Sequence, residues 1–169
     1  LHTLSGLLPA LSGQILIHDR NLKTLPLTDR ATEMSFVLTE DIDSSLMTVG
    51  ELVALGRSPY TGWKGTLHEK DKDIISQSMR QVMLTGFESR AINSLSDGEK
   101  QRAFIARALA QDTPIIFLDE PTAHLDINNR MEILILLLHL SHDAGKTVLL
   151  STHELESALD LADNIWLMN

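Results

Sequence analysis

The stretch Pro114-Ile115-Ile116-Phe117-Leu118-Asp119-Glu120-Pro121-Thr122 decides how this chain is read. An apolar run ends in two adjacent carboxylates and then a proline. A run that is apolar at every position reads as a parallel strand buried on both faces. Ligands in open α/β sheets bind beyond the carboxyl ends of such strands, so Asp119 and Glu120 sit where chemistry is expected. Along a regular strand their side chains point to opposite faces. Asp119 is then an oxygen ligand suited to Mg²⁺, and Glu120 a group to orient or deprotonate water.

Working outward, Leu95-Ser96-Asp97-Gly98-Glu99-Lys100-Gln101-Arg102 opens a helical run over residues 103–110. A helix N-terminus presents free backbone N–H groups and a positive dipole end, a natural phosphate site. Gly98 lets backbone approach a ligand closely, while Ser96 also reads as an ordinary N-cap. Downstream come Ala123-His124-Leu125-Asp126 and a second apolar strand, Thr147-Val148-Leu149-Leu150-Ser151, followed by Thr152 and His153.

In this order, these residues resemble the ATP-binding subunit of ABC transporters. Residues 95–99 resemble the family's signature Leu-Ser-Gly-Gly-Gln. Residues 115–120 are similar to its Walker B strand with catalytic glutamate, 123–126 to its D-loop, and His153 to its switch histidine. The resemblance covers essentially the whole chain. It implies ATP and Mg²⁺ as cofactors, with hydrolysis at the interface of a head-to-tail dimer. Glu120 and His153 would be catalytic and Asp119 a Mg²⁺ ligand. Ser96, Asp97, Gly98, Glu99 and Asp126 would face nucleotide. It also implies permease subunits in the membrane as partners and a place at the cytoplasmic face of the cell membrane.

The sequence departs from the family at several points. Asp97 stands for a glycine and Glu99 for a glutamine, setting two carboxylates where phosphate should dock. Glu40 takes the place of the Q-loop glutamine after the strand ending at Leu38; its oxygens still suit Mg²⁺. The string Gly-x-x-x-x-Gly-Lys-Ser/Thr, whose amides and lysine cradle phosphates, does not occur. The reading is of a piece that begins just inside the helix after the phosphate loop and that does not turn over ATP alone.

Composition agrees with one globular domain. The 169 residues suffice for a sizeable core, and 43% are hydrophobic. A net charge of −9 argues against nucleic acid as a partner. Without cysteine, disulfides and thiolate metal sites are excluded. The longest apolar run, near residues 133–138, falls far short of the roughly 20 residues that cross a bilayer.

The expected fold class is α/β: a P-loop NTPase-like, mainly parallel sheet with flanking helices and a helical insertion over about residues 41–94. Residues 1–8 read as the rest of a helix, 14–17 as a strand, 19–28 as a polar connection and 32–38 as a core strand. Thr48 with Glu51 forms a capping box for a helix over 49–56. A loop carries Tyr60 and Trp63, and it and residues 41–48 are candidate permease contacts. Residues 69–84 read as an amphipathic helix with Ile74, Ile75, Met79, Val82 and Met83 on its apolar face. Helices over 131–140 and 154–162 and a strand over 165–168 complete the expectation. The Gly56-Arg57-x-Pro59 segment resembles the importer branch for iron-siderophore, haem and cobalamin. The rival readings are a non-transport ABC ATPase, disfavoured by the lack of basic extensions, and a non-catalytic interaction fragment.

Overall fold

The structure is a computed structural model; it describes residues 1–38 and 47–167. Its centre is a three-stranded parallel sheet, β3 (Met34–Val37), β4 (Ile115–Asp119) and β5 (Thr147–Ser151), with β4 in the middle. The register pairs Val37 with Leu118 and Asp119 with Ser151. A two-stranded antiparallel hairpin, β1 (Leu16–Ile17) and β2 (Arg20–Asn21), lies before it. The helices are α1 (Leu27–Glu33), α2 (Val49–Ala54), α3 (Glu69–Gln81), α4 (Asp97–Ala110), α5 (Ile127–His142) and α6 (Leu155–Leu161).

The two-residue alternation of a strand explains why β4 is apolar throughout. Ile116 and Leu118 pack into a core with α2, α4 and α5, including Leu52, Ile105, Ile133 and Leu140. Phe117 faces the opposite side, with Ile17, Leu22, Leu25 and Met34 of the N-terminal segment. Its ring stacks on Phe36 at 5.2 Å between centroids. Both faces of β4 are thus covered, as a parallel strand requires.

Helices α2 and α3 pack against α4 and against each other. The Thr48–Glu51 capping box forms as expected: Glu51 N–H donates to Thr48 Oγ1 at 3.2 Å, and Thr48 N–H to Glu51 Oε2 at 2.8 Å. A 3-10 turn over Leu55–Tyr60 continues α2. Gly56 rests on α4, where an added Cβ would strike the Arg107 carbonyl oxygen and lie 3.0 Å from Ala110 Cβ. Arg57 is buried; its Nε donates to Asp71 Oδ1 at 2.9 Å and its Nη1 to the Ala110 carbonyl at 2.8 Å. The carboxyl end of α4 is tied to the sheet as well. Gln111 Nε2 donates to the Ala31 and Met34 carbonyls at 2.8 and 2.9 Å, and Arg107 Nη2 to the Phe36 carbonyl at 3.0 Å.

Several sequence expectations are corrected. Residues 1–8 form turns rather than helix: Gly6 takes φ +75°, and both Leu7 and Leu8 N–H return to the His2 carbonyl. The supposed polar connection over 19–28 holds β2 and the start of α1, and α1 extends into the supposed strand at Thr32 and Glu33. The helix expected to run to Leu84 ends at Gln81, so Met83 does not join its apolar face: at φ +59° it lies past the helix end and exposed, and Leu84 is buried instead. Residues 165–167 are not strand, since no neighbouring strand pairs with them among the described residues.

Candidate functional site

The strand β4 stops at Asp119 because Glu120 takes φ +45°, a conformation a non-glycine residue rarely adopts. The regular two-face alternation expected for the two carboxylates therefore does not continue through Glu120. Ser151, paired with Asp119 across the sheet, holds this corner together. Its hydroxyl donates to Asp119 Oδ1 at 2.6 Å and accepts the Glu120 backbone N–H at 3.0 Å. The Ser151 hydrogen bond, then contributions from His2, whose Nε2 lies 3.4 Å from Oδ2, hold the Asp119 carboxyl below the usual range. Two residues beyond Ser151, His153 Nδ1 sits 2.8 Å from Glu120 Oε2. Both side chains are solvent-accessible.

Asp119, Glu120 and His153 are thus brought together at the carboxyl edge of the sheet. Ser151 is a member of this cluster that the sequence reading missed. Its signal was its place as the last residue of the second apolar strand, two before His153. Among the described residues, no group of three or more His, Cys, Asp or Glu side chains is gathered as a metal site. Mg²⁺ is commonly held by one or two carboxylates plus substrate phosphates, and the hard oxygens of Asp119 beside a serine hydroxyl fit that donor set. Glu40 lies outside the described residues, as do 41–46 of the expected contact loop.

A second group surrounds the start of α4. Ser96 is its N-cap: Glu99 N–H donates to Ser96 Oγ at 3.3 Å, and Ser96 N–H to Glu99 Oε2 at 2.8 Å. That backbone hydrogen bond holds the Glu99 carboxyl low, with Arg90 3.5 Å away contributing. The Glu99 carboxylate is therefore turned back on its own helix and does not stand free before a phosphate. Asp97 is exposed, with Lys100 at 3.7 Å. Asp126 caps α5 and accepts from Asn129 N–H at 3.0 Å and Asn129 Nδ2 at 2.7 Å. The backbone donation from Asn129 is the main reason its carboxyl is held low.

One look-alike is set aside by its position. Gly145-Lys146-Thr147 repeats the end of a phosphate-loop string but lies at the opposite, amino end of β5. Lys146 Nζ is engaged there by the Thr113 carbonyl at 2.9 Å and Asp112 at 3.3 Å.

The sequence profile described as ABC transporter matches residues 1–123. The chain belongs to the ABC transporter family. It is 36% identical over 165 residues to the petrobactin import ATP-binding protein FpuD of Bacillus anthracis, covering 98% of this chain and 60% of that protein. It is 34% identical over 158 residues to the iron(3+)-hydroxamate import ATP-binding protein FhuC of Bacillus subtilis, covering 94% and 59%. A bacterial ABC transporter cassette solved as a dimer superposes with a TM-score of 0.77 at 29% identity, covering 94% of this chain and 70% of that one. This ABC chain has the P-loop NTPase fold of such cassettes. It spans about three fifths of the length of the curated relatives it matches.

Proposed function

We propose that this chain is part of the ATP-hydrolysing subunit of an ABC importer, acting as a head-to-tail pair. The observation that carries the reading is the Asp119–Ser151–Glu120–His153 cluster at the carboxyl edge of the parallel sheet. Asp119, kept ionised by Ser151, would hold Mg²⁺, which supplies charge neutralisation of the phosphates; Glu40 is a second candidate ligand. Glu120 orients water and accepts its proton. His153, steadied by Glu120, contacts the terminal phosphate. Ser96 and Gly98 of one subunit close over the nucleotide held by the other, with Asp97, Glu99 and Asp126 alongside. Such catalysis is mainly positioning and charge stabilisation.

The insertion expected over about 41–94, whose described part holds α2 and α3, is proposed to meet permease subunits at the cytoplasmic face of the membrane. Trp63, 92% exposed in its loop, supports a contact there. No helix among the described residues is long and apolar enough to cross a membrane. The transported compound is proposed to be an iron-siderophore, haem or cobalamin. Similarity to the petrobactin import protein FpuD and the iron(3+)-hydroxamate import protein FhuC supports the first, and the Gly56-Arg57-x-Pro59 segment supports the branch.

Two experiments test this. In a complete subunit, Glu120→Gln removes the proton acceptor while keeping its shape, so ATP turnover falls about 10²–10⁴-fold with ATP still bound. Retention of more than about a tenth of the rate overturns the role of Glu120. The 169 residues alone, lacking the phosphate-cradling string, release no phosphate above background. Steady turnover by this chain that Glu120→Gln abolishes would overturn that inactivity.

A further inference from the structure

Gly98 has no positive φ, so its position does not demand glycine's conformational freedom. It demands room. A Cβ at Gly98 would lie 2.6 Å from Asn129 Cγ, and its nearest neighbour would be Asn129 Oδ1. The end of a flexible side chain could ordinarily swing aside. Asn129 is not free to do so, because its Nδ2 donates to Asp126 Oδ2 at 2.7 Å while its backbone N–H donates to Asp126 Oδ1 at 3.0 Å. Hydrogen bonds to a carboxylate are among the stronger ones. On the other side, Arg102 Nη2 of α4 lies 3.5 Å from Asn129 Oδ1 and pairs with Glu132 of α5. One amide therefore spans from the capping aspartate of α5 to the first turn of α4.

The backbone donation alone would cap the helix. The side-chain amide is surplus to that purpose, and it is what fills the space beside Gly98. We propose that Asn129 is a positioning residue that locks the start of α4 to the loop ending at Asp126, so that the two move as one body when subunits close. This rests on the reading of Ser96 and Gly98 as groups that close over nucleotide. It assigns to the signature glycine a second requirement, accommodation of Asn129, besides close approach to phosphate.

Asn129→Ala keeps the N–H cap and removes only the amide. In a complete subunit, ATP-dependent dimerisation is measured by sedimentation for wild type, Asn129→Ala, Gly98→Ala and the double variant, with melting temperatures alongside. Asn129→Ala is expected to weaken dimerisation at least about twofold, the low end of coupling between contacting residues, with a melting temperature lowered by no more than the loss of one side-chain hydrogen bond. The double variant is expected to dimerise at least about twofold more tightly than Gly98→Ala alone, because the space for the new Cβ has been vacated. A role confined to helix stability predicts no such suppression. If Gly98→Ala does not fold, recovery of a cooperative melt in the double variant is the equivalent supporting result. A double variant no better than Gly98→Ala, or an Asn129→Ala variant that dimerises like wild type, overturns the proposal. A wild-type subunit that does not dimerise with ATP overturns the functional reading beneath it.

Discussion

Ser151 joins the two acidic residues at the end of β4 through one hydroxyl, donating to the Asp119 carboxylate and accepting from the Glu120 backbone. Removing it in Ser151→Ala leaves Asp119 short of a donor and Glu120 short of an acceptor. The expected cost near neutral pH is about 1 kcal/mol, low in the usual range because the carboxylate is partly solvated. Asp119 has its carboxyl lowered by that hydrogen bond. The associated stability is complete above the ordinary aspartate value, about 3.9, and is lost as pH falls through the lower folded value. Urea denaturation of wild type and Ser151→Ala should therefore give curves that approach each other below about pH 4. They do not merge, since the Glu120 N–H bond persists in acid; a gap unchanged with pH would refute the assignment. The acids and His153 were legible as residue types at strand ends. The left-handed turn at Glu120 was not, because a φ of +45° at a glutamate is set by the serine across the sheet and the turn that follows, not by local preference.

The start of α4 corrects an electrostatic expectation at the scale of an element. Read from sequence, Asp97 and Glu99 both repel a phosphate. In the folded helix Glu99 closes a capping box on Ser96 and only Asp97 stands exposed. Asp97→Asn should then tighten ATP-dependent dimerisation of a complete subunit by up to about fivefold, the ~1 kcal/mol of a unit-charge pair at 4 Å in water, with the gain shrinking as salt rises. Glu99→Gln should do little, because glutamine serves the box equally, whereas Glu99→Ala should cost about 1 kcal/mol in thermal melts. Stronger dimerisation from Glu99→Gln than from Asp97→Asn would reverse this division. Among the elements, β4 and β5 were plain as unbroken apolar runs, and α4 and α5 as long stretches rich in Ala or Leu. Residues 19–33 were not: a two-residue strand, a 3-10 turn and a short helix carry too little periodicity to register, and their order comes from packing on Phe117 and Met34. The strand expected at 165–168, of which 168 lies outside the described residues, does not form over 165–167 for a related reason: an apolar run names no partner, and a strand needs one.

Across the molecule, the carboxyl end of α4 is where the α2–α3 region and the sheet are joined. Gly56 lies against the Arg107 carbonyl, Arg57 binds the Ala110 carbonyl, and Gln111 and Arg107 reach Ala31, Met34 and Phe36. Gly56→Ala should push these layers apart at an expected cost of about 1–3 kcal/mol, read from chemical denaturation. A variant as stable as wild type would mean that the contact yields freely. The same arrangement gives α4 the mechanics of a lever. Its fulcrum is the bound carboxyl end; its far tip carries Ser96 and Gly98, with Asn129 of α5 packed beside Gly98. With 14 residues the arm is about 21 Å long. A tilt of about 5° at the fulcrum sweeps the tip through about 2 Å, most of a hydrogen-bond length. Small angular play where α4 meets the sheet is thereby magnified into making or breaking contact at the far end.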